Sequence, residues 1–134
     1  MQIPLERSSL VTDQVMGGGS RATLSRETIR GRTALRLRGD VRLENNGGFV
    51  QMAADILPGG EPFTATGWAG IAIEVLGNDE TYNLHLRTRD LTWPWQSYRQ
   101  SFIAGPQWQT QHIAFTDVVA HRVDKALDTT RLTR

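Results

Sequence analysis

The sequence has no cysteine in its 134 residues, which excludes disulfides, thiolate metal sites and cysteine nucleophiles together. Small secreted domains more often carry disulfides, so this absence favours a reducing compartment. Lysine is nearly absent as well: Lys125 stands alone against fourteen arginines. The formal charge is only +1, leaving no overall field to gather nucleic acid or a membrane surface. Nor does any apolar run approach the ~20 residues that span a bilayer. The opening residues, Met1 to Arg7, lack the apolar core and small-residue cleavage pattern of a signal peptide. They are also too short and too acidic for a transit peptide. A cytoplasmic chain with no nucleic-acid partner and no membrane span is expected.

Helical periodicity is scarce too, and short runs of period two separated by Gly, Pro, Asn and Asp take its place. That is the pattern of an all-β chain, and its length suits one β-sandwich domain over residues 1–134. Strands are expected at 20–28, 33–38, 41–43, 48–56, 68–76, 81–89, 97–104 and 108–115. The stretch 68–76 is almost wholly apolar, as in a central strand covered on both faces. A turn at 77–80 would return it into 81–89, and Gly105-Pro106 would join the last two strands. Trp68 and Trp108 are expected in the core. Thr116-Asp117 is placed to cap a short helix through Val119, Val123 and Leu127.

Two corners organise the chain. Asp13-Gln14-Val15-Met16-Gly17-Gly18-Gly19-Ser20 and Leu43-Glu44-Asn45-Asn46-Gly47-Gly48-Phe49 are polar and glycine-rich, with apolar alternation beside them. Asn and Gly enter the left-handed backbone region at low cost, so both read as tight reversals at one end of the sandwich. Asp13, Met16, Asn45 and Asn46 are its candidate residues. Either Asp13 caps its own turn and Asn46 holds a left-handed position, or they face a ligand. No metal site is assigned.

No enzyme chemistry stands out. His85, His112 and His121 lack metal-ligand spacing, and His85 with His112 as cross-strand neighbours would want a third ligand. There is no Gly-x-Ser-x-Gly elbow, and Gly17-Gly18-Gly19-Ser20 lacks the lysine and helix of a phosphate loop. A non-catalytic chain without cofactor is expected. The better candidates are Trp93, Trp95 and Tyr98, in or beside one loop, with Asn83, His85 and Arg87 in a row on the face opposite Leu84 and Leu86. Rings of this kind stack on sugars while Arg, Asn and His bond hydroxyls, and the same residues form protein-binding hot spots. Alternatively, Trp93 and Trp95 fold back over an open end, and Arg87 pairs with Glu74. The seven arginines within 21–42, against Glu27 and Asp40, read as a solvated strand face.

Asp13-x-Val-Met-Gly-Gly-x-Ser20, Leu43-Glu-Asn-Asn-Gly-Gly-Phe49, Tyr82-x-Leu-x-Leu-Arg-Thr88 and Trp108 with Ile113 and Phe115 together resemble the complex I intermediate-associated protein domain. The resemblance runs from about Leu10 to Thr133. It implies a jelly-roll β-sandwich of the galactose-binding-domain type. It also implies a non-catalytic assembly role with a protein partner, respiratory-complex subunits among the candidates; a sugar ligand is the alternative. Gly19 and Gln111 depart from the family pattern at positions that are usually apolar. The family pattern also continues into a further apolar strand beyond 127–132. A sandwich without that strand would leave an open edge. The edge is expected to be covered by the N-terminal segment, by the tail, or by another subunit in a homo-oligomer.

Overall fold

The computed structural model describes residues 1–42 and 48–134, with the Met16 side chain outside the described set. Its regular structure is all-β, in several antiparallel sheets, consistent with a β-sandwich. No helix among the described residues is long and apolar enough to cross a membrane. The chain divides into two compact units, Met1–Pro58 and Gly59–Arg134.

In the first unit the strands are β1 (Ser8–Thr12), β2 (Arg21–Ile29), β3 (Arg32–Asp40) and β4 (Val50–Ala54). The pairing is nested: β2 pairs with β3, and the flanking β1 pairs with β4. The β2–β3 hairpin turns on Arg30 and Gly31, both left-handed at φ 46° and 81°. Two successive positive φ values make the two-residue turn whose twist suits a hairpin. Gly31 adopts it freely and Arg30 does not. The strand expected at 33–38 runs further, because β3 stays paired through Asp40, opposite Arg21. The other corner residues named from the sequence, Asn45 and Asn46 with Glu44, fall in 43–47, outside the described residues.

The second unit repeats the nesting. Its strands are β5 (Gly70–Val75), β6 (Glu80–Leu86), β7 (Ser97–Ala104), β8 (Gln109–Ala114) and β9 (Val119–His121). The two expected hairpins do not form. Instead β5 pairs with β8, and β6 with β7. The reason lies in the turns between them: the Gly77 and Asp79 amides donate to the carbonyls of Gly105 and Ala104 at 2.7 and 2.8 Å. The two connections thus run side by side and carry the chain from one sheet to the other. β5 is also not covered on both faces, since Ala72 and Glu74 are exposed between half-buried neighbours. In place of the helix expected after Thr116, a single 3-10 turn (Phe115–Asp117) leads into β9, which pairs with β7. Tertiary strand pairing here overrides a local capping signal.

The core of this unit is Ala65, Leu86, Tyr98, Ala104, Ile113 and Leu132. Trp68, expected among them, is 50% exposed and packs its ring 5.5 Å from that of Phe63; Trp108 is half-buried. Gln111 is half-buried as well, its amide donating to the Ile103 carbonyl at 3.1 Å. The tail runs between two segments. Leu132 exchanges backbone bonds with Phe63, while Arg131 and Arg134 accept from the amides of Arg89 and Arg87.

Replacing Arg30 by Asn, which tolerates the left-handed region, should raise stability by up to about 1 kcal/mol. Urea denaturation checks this; a loss of stability would contradict the turn geometry.

Candidate functional site

In the first unit, the chain leaves β1 at Thr12 and enters a 3-10 turn, Asp13–Met16, closed by Gly17 in the left-handed region. The turn points the Asp13 side chain inward, where it has no exposed surface. A buried carboxylate survives only if its oxygens are satisfied. Here Oδ1 accepts from the Ser20 amide at 3.0 Å, and Oδ2 accepts from the Ser20 hydroxyl and the Gly48 amide, with Phe49 N at 3.2 Å. Three of the four donors meet at Oδ2 and one at Oδ1, so both oxygens are satisfied. The carboxylate thus bonds the backbone across its own corner, at Ser20, and also the residues that lead into β4. The Ser20 hydroxyl in turn accepts from the Arg42 amide at 2.7 Å. Gly18 leaves the room, because a Cβ there would stand 2.6 Å from the Asp13 Cγ. Burial alone would push the Asp13 carboxyl up; the Ser20 hydroxyl and the amides of Gly48, Ser20 and Phe49 outweigh it and hold the carboxyl below its ordinary value.

In the second unit, the connection from β6 to β7 carries Trp93 and Trp95. Their rings stack at a centroid distance of 5.2 Å with planes within 3°, and both are more than half exposed, 52% and 54%. Each ring thus keeps about half of its surface in solvent. Two large exposed indoles need a stiff support to stay together, and Arg87 supplies one: its Nη1 lies 3.0 Å from the Trp93 carbonyl and 3.1 Å from that of Pro94, and also donates to Gln96 O. Gln96 completes the brace. Its Oε1 accepts from the Thr92 and Trp93 amides, both at 3.0 Å, and its Nε2 donates to the Arg122 carbonyl at 3.2 Å. Arg87 therefore commits its Nη1 to three carbonyls of the loop. Gln96 was missed from sequence, since nothing local marks a glutamine as a brace.

Tyr98, grouped with these tryptophans from sequence, is buried at 2% exposure, its hydroxyl donating to the Ala126 carbonyl at 3.2 Å. Register explains it: Tyr98 stands opposite Leu86 on the core face of β7. Asn83 and His85 share the other, exposed face, as the alternation of β6 predicts. Asn83 accepts from the Ser101 hydroxyl at 2.7 Å, and the His85 ring bonds Ser97 Oγ through Nδ1 at 2.8 Å. The imidazole near His85 is His121, ring centroids 6.3 Å apart, and not His112, which sits on β8 opposite Ala72. The helix expected over residues 119–127 hid that neighbour. Burial, then Arg99 and His121, lower the His85 pKa; burial, Arg99 and Arg122 do the same for His121. No group of three or more His, Asp or Glu that would hold a metal occurs among the described residues.

The family described as Complex I intermediate-associated protein 30 (CIA30) matches residues 2–133. The chain belongs to that family. No curated protein and no solved structure matches it. In this CIA30 chain, Asp13 and Ser20 bracket the first glycine-rich motif, and Gly48 and Phe49 end the second. The buried carboxylate is thus the point at which the two motifs meet. In this chain Asp13, Gly18 and Ser20 together complete the one small cluster.

Two outcomes are expected. Asp13→Asn keeps the shape but sets an N–H donor against donors, and should lower Tm by roughly 5–15 °C at neutral pH. The folded carboxyl holds its proton more weakly than the unfolded one. The stabilisation is therefore complete above about pH 4 and is lost as pH falls through the folded value. The Tm gap between wild type and Asp13→Asn should accordingly close on acidification in calorimetry. Arg87→Met should cost about 1–3 kcal/mol and abolish the circular-dichroism couplet of the stacked indoles; a retained couplet would show that Arg87 does not brace them.

Proposed function

We propose that this CIA30 domain is a non-catalytic binding module that holds a protein partner during assembly of a respiratory complex, with the Trp93–Trp95 loop as its contact. The observation that carries this is the pair of stacked, half-exposed indoles on a loop braced from beneath by Arg87 and Gln96. Leaving two tryptophans in water is unfavourable for a free domain, and Trp is enriched where protein interfaces concentrate their binding energy. A braced loop has also lost its ordering entropy before a partner arrives, which favours affinity. The family supplies the partner class, since CIA30 is named for an association with complex I intermediates.

A carbohydrate reading has one observation in its favour, the flat apolar surface of parallel indoles. It is weaker because Arg87 is turned to loop carbonyls and Tyr98 is buried, which removes two of the groups that would have gripped a sugar.

Immobilised chain incubated with detergent-solubilised membranes of the source organism should retain complex I subunits. The double variant Trp93→Ala/Trp95→Ala should release them while its Tm stays within about 3 °C of wild type, as expected for surface positions. Equal retention by the double variant, or retention of no such subunit, would overturn the proposal.

A further inference from the structure

The strands beside the tryptophan loop present an unusual surface. In β6, β7 and β9 the core face takes Tyr82, Leu84, Leu86, Tyr98 and Phe102. The alternate residues point the other way. His85, Arg99 and Val119 lie in one cross-strand row, and Ser97 and His121 in the next. Further along the same face, Ile103 stands opposite Thr81. No described side chain on this face of the three strands is a carboxylate. Arg99 is its fixed positive charge, close enough to lower the pKa of both histidines. Arg122, exposed at the end of β9, adds a second. The nearby Asp90 is paired with Arg131 at 2.8 Å. Two aliphatic side chains are also left bare there, Ile103 at 59% and Val119 at 64% exposure.

Side-chain parity joins this face to the loop. Arg87 has the parity of Asn83 and His85, while Leu86 and Thr88 are buried on the other side. The loop carbonyls that Arg87 grips are thus drawn to the His85 side.

We infer that this face, bordered by Trp93 and Trp95, docks an acidic protein segment that carries apolar side chains. The inference rests on the loop being a binding element and names the chemistry of its partner. Charge of one sign selects an anion and speeds encounter. Aromatic, arginine and bare aliphatic groups side by side are the composition of a protein-binding centre. Ile103 and Val119 have no use for a hydroxyl-rich glycan or a phosphate polymer, which decides between an acidic peptide and those polyanions.

The test titrates the full chain into a short fluorescent peptide alternating glutamate with leucine, its lysine counterpart, a neutral oligosaccharide and a sulfated oligosaccharide. The glutamate peptide should bind saturably, weaken as salt rises, and quench or shift tryptophan emission. Arg99→Glu should weaken it at least roughly tenfold with Tm unchanged. Equal binding of both peptides, unaltered affinity in Arg99→Glu, or preference for the sulfated sugar each overturns the inference. If only the lysine peptide or the neutral sugar perturbs tryptophan emission, the acidic partner is excluded and the loop remains a binding element. If no probe perturbs it, the inference is overturned and the loop reading loses its support as well.

Discussion

A buried carboxylate with every oxygen satisfied is the constraint on which the first unit depends. Its most completely buried side chains among the described residues are Asp13 and Ser20, neither of them apolar. A polar centre of this kind is costly unless fully bonded, and then it fixes geometry with little tolerance. Four donors converge on Asp13, two from Ser20 and two from Gly48 and Phe49, the Gly48 amide lying 35 residues along the chain from the carboxylate. The Asp13 amide also donates to the Phe49 carbonyl at 3.1 Å, directly beside the β1–β4 pairing that runs from Thr12 opposite Val50. The carboxylate knot thus sets where β4 enters its sheet, and the nested pairing of the unit follows.

The second unit uses the opposite charge for the same purpose. Arg87 is a half-buried cation whose donors meet backbone carbonyls, and the loop it holds carries two exposed indoles. In both places an ion is spent on the main chain. What differs is the result: an inward knot that orders a fold in one unit, an outward aromatic platform in the other. Asp13 is thereby part of the architecture of its unit, while the two tryptophans are displayed to solvent.

Much of this could be read from the chain alone. Period-two alternation located most of the strands, and β7 at Ser97–Ala104 was delimited to the residue. The exposed row of Asn83 and His85 followed from alternation. The pairing did not, because alternation says which face a residue takes and nothing about which distant strand lies beside it. The side-by-side turns at Gly77 and Gly105 decided that, through backbone groups that no side chain announces. The tryptophan loop was visible as composition, but the role of Arg87 was not, since a guanidinium in a row of polar residues looks the same whether it turns inward or out. Tyr98 was misplaced for a related reason: proximity in sequence to Trp95 says little once a strand begins and alternation sends the ring to the core.

The Asp13 knot is tested most directly by following the Asp13 carboxyl carbon by NMR as pH is lowered, together with the amide signals of Ser20, Gly48 and Phe49. The carboxyl should titrate below the usual aspartate range, and the three amides should shift with it along one curve. A carboxyl that titrates at an ordinary value while those amides stay still would contradict the account.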